Sequence, residues 1–478
     1  MKHKLAALLL LFAACNPGGQ VQTPALPSSS PAQPMSSAAL LDDVQKRTFL
    51  FFWETANPAN GLVPDRWPTP SFSSIAAVGF GLTAYGVGAE RGWITREAAA
   101  ERVLTTLRFF LQSKQGDAHS GVTGYRGFYY HFVDMKTGER FKEVELSTID
   151  TTLFLAGALF CQSYFDGNNP TERAIRDTAE QLYRRAEWTF FFERPPLISM
   201  GWTPEHGLHD YDYRGYNEAM ILYILALGSP THPIGKESWD AFTATYRWAD
   251  HYGQQYVIFP PLFGHQYSHV WIDFRGIRDE YMRGKGIDYY ENSRRATYSQ
   301  RSYAIDNPMQ WKGYGENVWG LTACDGPLDG KLIIDNKVRQ FFTYRARGTS
   351  PQGGEDDGTL APTAAVSSIA FAPEIAIPAM AAMHRQWGAQ LYQQYGFLDA
   401  FNPTLSIPAK VQEGRIVPGV GWFDVDYLGI DQGPIVAMIE NHRSELIWKT
   451  MRKNPHIVRG LKRAGFTGGW LETTGGPN

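Results

Sequence analysis

Leu41, Val44, Thr48 and Phe52 recur at the three- and four-residue spacing that places side chains on one helix face, and Val103, Leu107, Phe110 and Leu111 repeat the pattern. The same periodicity predicts helices over roughly 73–90, 147–165, 171–192, 217–227 and 236–251, and later over 362–387, 432–448 and 456–464. Pro362 suits a first helical turn, whereas Pro373 and Pro378 should kink or split the helix that follows it. Gly- and aromatic-rich stretches at 121–132, 201–216, 260–317 and 346–359 read as long loops, which are uncommon unless functional. No fixed-period repeat marks a regular solenoid. About a dozen helices without an internal linker predict an all-α domain over 39–478, an (α/α)6 barrel of paired helices whose long loops form a cleft.

The first residues follow a different logic. Lys2 and Lys4 precede the apolar run 5–12, which has signal-peptide length and is too short to span a bilayer. Ala13 and Ala14 then lead to Cys15 in a pattern that resembles a bacterial lipobox, with Phe12 where Leu is more usual. The resemblance implies removal of residues 1–14, a lipid on Cys15, and Asn16 in place of the Asp that often retains lipoproteins on the inner membrane. An ordinary secretory signal with a coincidental cysteine is the alternative. Residues 15–38 are a Pro/Ser-rich flexible linker, so a bacterial cell-envelope protein is expected, lipid-anchored in the outer membrane or periplasm. The other two cysteines make no disulfide framework, and Cys161 reads as a small buried residue.

Composition narrows the chemistry. Lys and Arg number 45 against 48 Asp and Glu, and this near-neutral balance argues against nucleic acid as a partner. Hydrophobic residues at 43% allow a large core. Aromatic residues reach 14%, a surplus that suggests flat apolar faces for a ligand such as a sugar ring, with thick helix packing as the plain alternative.

Glycoside hydrolysis needs one protonated and one ionised carboxyl group about the scissile bond. Glu218, in DYRGYNEAMILYILAL, is expected on the apolar face of a helix, where burial would raise its pKa as a general acid requires, and Arg214 and Tyr216 precede it as substrate-binding candidates. A helix-start glutamate after an Asn217 cap is the alternative. In FKEVELSTIDTTLFLAGAL, Glu145 lies just outside a predicted helix, and Asp150 either faces the cleft or completes a capping box with Ser147. Asp431 reads as the N-cap of a helix with Pro434 in its first turn, beside Trp422, Asp424, Asp426 and Tyr427, the aromatic and acidic mixture of a sugar subsite. The segment GHQYSHVWIDFRGIRDEYMR offers His265, His269, Asp273, Arg275, Arg278 and Asp279, whose Asp and Arg residues read as salt bridges with one another or as hydrogen bonds to sugar hydroxyls. A zinc site is disfavoured there because HQYSH lacks the HExxH glutamate. GGEDDG at 353–358 reads as an acidic solvated turn rather than a calcium loop, and no GxSxG elbow, phosphate loop or dinucleotide fingerprint is present.

RTFLFFWETANPANGLVPDR, SIAAVGFGLTAYGVGAERGWITREAA, ELSTIDTTLFLAGAL, DYRGYNEAMILYILALGSPTHPI, QYSHVWIDFRGIRD, ENVWGLTACDGP and YLGIDQGPIVAMIENHRS, in this order, resemble the bacterial glucoamylase-like family. Its characterised members include endo-β-1,2-glucanases of glycoside hydrolase family 144. The resemblance implies an (α/α)6 barrel that cleaves β-1,2-glucan, endo-acting and inverting, with neither cofactor nor metal. Glu218 corresponds to its proton donor, Glu145 and Asp150 to cleft acids, and Asp431 is the choice for the base. Trp271 and Trp319, from two of these segments, join His269, Asp273, Arg275, Trp422 and Tyr427 as substrate-binding candidates. A monomer that touches glucan and, through its lipid alone, the membrane is expected. Two rivals remain: an exo-acting or other-linkage hydrolase on the same barrel, and a non-catalytic glycan-binding lipoprotein.

Overall fold

The structure, a computed structural model, describes residues 35–192 and 194–473; the leader and Cys15 fall outside the described residues. Chain order after the first helix, α1 (Ser37–Thr55), brings α2 (Ile75–Glu90), α3 (Arg96–Gln112), α4 (Thr148–Tyr164), α5 (Pro170–Arg184), α6 (Met220–Gly228) and α7 (Lys236–Thr243). There follow α8 (Phe263–Trp271), α9 (Glu280–Lys285), α10 (Tyr289–Asp306), α11 (Pro362–Val366), α12 (Pro373–Leu391), α13 (Gly429–Arg443), α14 (Leu446–Met451), α15 (Pro455–Arg463) and α16 (Trp470–Thr473). None of the described helices is long and apolar enough to cross a membrane.

These helices fall into two kinds. In α2, α4, α6 and α13 nearly every residue is buried, so they carry no amphipathic stripe. Helix α2 packs on α4 and α13, α4 on α6, and α13 on α8 and α11. Ser268 of α8 donates to the Glu218 carbonyl at 2.9 Å and accepts from the Ile221 N–H of α6 at 3.1 Å. Gln266 of α8 reaches the Ala364 carbonyl of α11 at 2.8 Å. A second set packs outside them: α1 on α13, α3 on α2, α5 on α4, α10 on α8, α12 on α11 and α15 on α6. Helices α2 and α4 meet through glycine: a Cβ on Gly79 would stand 2.2 Å from the Leu153 carbonyl oxygen, and one on Gly157 2.1 Å from that of Gly79.

Some expectations need correction. The stretch 260–317 contains α8, α9 and α10 rather than a long loop. Helix α10 is mostly polar, so it lacks the periodic signal; capping defines it, with Asp288 accepting from the Glu291 N–H at 2.8 Å and left-handed Asn307 ending it. The helix over 362–387 is split as its prolines predict, with Pro373 opening the second helix, whereas Pro378 lies inside that helix without ending it. The chain is also not purely helical. Short antiparallel strands run between the helices, and the largest sheet joins Gly124–Tyr125, Phe128–Tyr130, Leu146–Ser147, Gly201–Thr203 and Gly207–Leu208 in that order. Its Tyr130–Leu146 register sets His131 beside Glu145, whose carbonyl accepts from the His131 N–H at 2.9 Å.

Candidate active site

Glu218 lies in the turn just ahead of α6, not on the helix's apolar face as expected. Asn217 holds that turn by accepting from the Ala219 N–H at 2.9 Å. The Glu218 side chain is half-buried and recessed. Burial pushes its pKa up to about 7, its own backbone N–H opposes this, and the nearby Asp150 charge adds to it.

Asp150 sits in the first turn of α4. Ser147 caps that helix by accepting from the Asp150 N–H at 3.2 Å, and its hydroxyl donates to Asp150 Oδ2 at 2.5 Å, so the cap forms while Asp150 bonds the Ser147 hydroxyl rather than closing the box on the Ser147 N–H. Asp150 also faces a residue that sequence reasoning missed. His131 sets Nδ1 2.7 Å from Glu145 Oε1 and Nε2 3.5 Å from Asp150 Oδ1. With a carboxylate at each nitrogen the ring serves as donor on both sides. Burial alone would lower its pKa, but Asp150, Glu145 and Asp65 outweigh burial and raise it to about 9. His131 in turn offsets the burial of Glu145 and holds that carboxyl below its usual range. Glu143, three residues before the sheet, is exposed.

A second group of acids surrounds Asp431, the third residue of α13 rather than its cap. Asp325, Asp399, Asp424, Asp426 and Asp431 are each at most 2% exposed. Arg66 is the cation among them, 2.8 Å from Asp325, 3.4 Å from Asp65 and 3.9 Å from Asp426. Burial raises Asp431 to about 7; a side-chain hydrogen bond with Asp399 lowers it, and the charges of Asp325 and Asp65 raise it. Asp399 is pushed well above the carboxylate range by burial and by Asp431. The two groups share neighbours. Tyr267, buried between them, has its hydroxyl pKa raised first by burial and then by charges that include Asp431 and Glu218, and Asp65 faces both His131 and Asp325.

Most other sequence candidates are used inside the protein. His269 is fully buried between Phe274 and Phe371, with Nε2 3.0 Å from Ser293 Oγ, and burial lowers its pKa well below the usual value. Trp271 stacks on Phe80 and donates to Thr83, Trp422 donates to the Glu413 carbonyl, and Trp319 is fully buried. Tyr216 stacks on Tyr289, and Tyr427 accepts from the Tyr395 N–H. Asp273 binds Arg275 and Arg452, so that pair is a structural ion cluster. Arg214 is exposed and reaches Asp212 at 3.4 Å. His265 is buried against the Phe259 carbonyl, and among the described residues it joins no metal-holding group with His269. The acidic turn is not solvated as a whole: Asp356 accepts from Tyr303, Trp311 and Tyr314, and buried Asp357 pairs with Arg347.

Aromatic faces do remain beside the acids, at positions that sequence reasoning passed over. Trp67 is 41% exposed in a strand next to Arg66, and Tyr344 is 52% exposed, near Asp431 and Asp399. Tyr344 precedes Arg345, which pairs with Cys324 in an antiparallel register that carries Tyr344 opposite Asp325.

Comparison with known proteins places this geometry in context. The Glycoamylase family model, described as "Putative glucoamylase", matches residues 210–455, just over half the chain. A Bacteroides uniformis protein described in the same words has a crystal structure with a TM-score of 0.76 and 35% identity, covering 91% of this chain and 99% of its own. The endo-β-1,2-glucanase of Chitinophaga pinensis, solved with sophorotriose and glucose, gives a TM-score of 0.77 at 29% identity, covering 91% of this chain and all of its own. The exo β-1,2-glucooligosaccharide sophorohydrolase (non-reducing end) of Parabacteroides distasonis is 29% identical over 91% of this chain. The chain spans 59% of the length of that relative.

Proposed function

The chain belongs to the glucoamylase-like family, and on that premise we propose that it is a glycoside hydrolase of β-1,2-glucan. One observation carries the reading: two carboxyl groups, Glu218 and Asp431, sit at the starts of different buried helices, share Tyr267 as a neighbour, and both titrate near neutrality. Helices α2, α4, α6, α8, α11 and α13, each touching the next, support an inner ring of an (α/α)6 barrel, with the catalytic acids at one mouth.

In the proposed mechanism protonated Glu218 gives its proton to the leaving glycosidic oxygen as the C1–O bond breaks. Asp431 takes a proton from the water that attacks C1 from the opposite face, which inverts the anomeric centre. Burial keeps a share of Glu218 protonated at neutral pH, the property the donor needs. Trp67 and Tyr344 offer flat faces for glucose rings in place of the buried aromatics. Endo action and attachment of the protein to the cell envelope through Cys15 complete the proposal, the latter on the sequence of the leader alone.

The name of the Parabacteroides relative favours a second reading, exo release of disaccharide. One experiment separates the two. The protein is incubated with linear β-1,2-glucan, β-1,3-glucan, cellulose oligomers and starch, and products are resolved by length over time. Oligosaccharides of mixed size appearing early from β-1,2-glucan alone support endo action. Disaccharide alone from the first time point supports exo action, and no release from any polymer overturns the hydrolase.

A further inference from the structure

We propose that the acids around Asp431 form a divalent-cation site suited to Ca²⁺, with Asp325, Asp399 and Asp424 as ligands. One oxygen of each ligand is already held in place. Asp399 Oδ2 accepts from the Asp325 N–H at 2.8 Å, Asp424 Oδ1 from the Val425 N–H at 2.6 Å, and Asp325 Oδ2 from Arg66 at 2.8 Å. Asp399 Oδ1 and Asp424 Oδ2 are left sealed from solvent with no donor in reach, and one oxygen from each of the three carboxylates lies within 4.8 Å of the others.

A fourth side chain, from a different element, lies beside them. Asp431 on α13 is 2% exposed and has Oδ2 sealed without a partner. Of these four buried carboxylates, among the described residues, Asp325 alone has an ion pair, with Arg66 at 2.8 Å, and the nearby Arg347 is spent on Asp357 through two bonds of 2.7 and 2.8 Å. Buried polar atoms without partners are rare, and buried carboxylates that each bring one oxygen close to the others are the arrangement a hard cation takes. The donor set is oxygen only. Ca²⁺ at about 2.3–2.6 Å from each ligand spans opposed oxygens up to roughly 5 Å apart, whereas Mg²⁺ at about 2.0–2.1 Å demands a tighter cage. The site departs from the metal-free expectation of the sequence.

The whole protein, treated with EDTA and dialysed, is titrated with CaCl₂ and separately with MgCl₂ by isothermal calorimetry, and Tm is followed. One Ca²⁺ per chain is expected, with Tm raised by a few degrees at about 100-fold excess over Kd and restored by EDTA. Mg²⁺ should bind at least about tenfold more weakly. D424N and D399N should each lose at least about tenfold in Ca²⁺ affinity, and if neither folds, the titration of the unsubstituted chain decides. No saturable heat and no change in Tm up to about 10 mM Ca²⁺ would overturn the site, as would undiminished binding in D424N and D399N. An infrared band of a protonated carboxyl at pH 8 that vanishes in D399N, without Ca²⁺ binding, would assign the cluster to shared protons instead. Glucan hydrolysis is read separately: binding of Ca²⁺ by a chain that releases no sugar leaves this site standing and removes the proposed function.

Discussion

Near Glu218, one imidazole stands between two carboxylates; near Asp431, one guanidinium stands at the edge of five. Each place holds an acid that burial pushes up to about 7, and the charged surroundings differ. Glu218 is recessed among neutral groups with a single charged neighbour, so burial does most of the work. Asp431 is raised by burial and by a crowd of like charges, and a hydrogen bond from Asp399 is what restrains it. Desolvation is thus the main cause for both groups, with one neighbouring charge added at Glu218 and several at Asp431.

The largest effect expected is on the donor. Glu218→Gln should lower kcat on β-1,2-glucan by about 10²–10⁴-fold with little change in KM, measured as oligosaccharide release. Turnover within a few-fold of the unsubstituted protein would remove Glu218 from the chemistry. The two cations should differ next. Arg66→Gln leaves the crowded acids uncompensated and should cost about 3 kcal/mol in urea unfolding, whereas His131→Gln, which still offers one donor, should cost about 1–2 kcal/mol. Because the folded pKa of His131 is raised, its ionic contribution is fully present below about pH 6.5, its unfolded value, and fades as pH rises through about 9. The penalty of His131→Gln should therefore shrink above pH 9. Equal costs for the two substitutions would erase the contrast.

A smaller effect concerns pH. Loss of the Glu218 proton should set an alkaline limb of kcat/KM near pH 7, and Asp150→Asn, which removes the charged neighbour, should move that limb to lower pH by less than about one unit, because burial remains. A shift upward would mean that Asp150 does not act on Glu218 through its charge. The smallest is Arg214→Ala: an exposed pair with Asp212 should be worth at most about 0.5 kcal/mol, with KM unchanged. A several-fold rise in KM would restore Arg214 to the substrate.

How much of this was legible in the chain depended on how local the cause was. Ser147 and Asp150 are three residues apart and bond within one turn, so the cap could be read directly. Helix α1 shows one apolar face and was read from its spacing, but α10 has none and looked like loop. His131 escaped notice because its partners, Glu145 and Asp150, come to it through strand register rather than spacing. Asp325 and Asp399 are 74 residues apart and meet only in the fold. The aromatic surplus misled for a related reason. Trp271, Trp319 and Trp422 are the filling between fully buried helices and strands, and composition cannot tell a ring that packs from a ring that waits for sugar.

The close crossing of Gly79 and Gly157 has a practical bearing on engineering. Replacing helical glycine by alanine is a standard route to thermostability. At these two positions the new methyl would meet a backbone carbonyl at 2.2 or 2.1 Å, and neither backbone can step aside without moving its helix. Helix α4 carries Asp150 in its first turn, and α2 starts at the Ser74 cap close behind Asp65 and Arg66. A substitution meant to stiffen the scaffold would thus force apart the helix that carries Asp150 and the one that follows Asp65 and Arg66, and lower stability where it was meant to raise it.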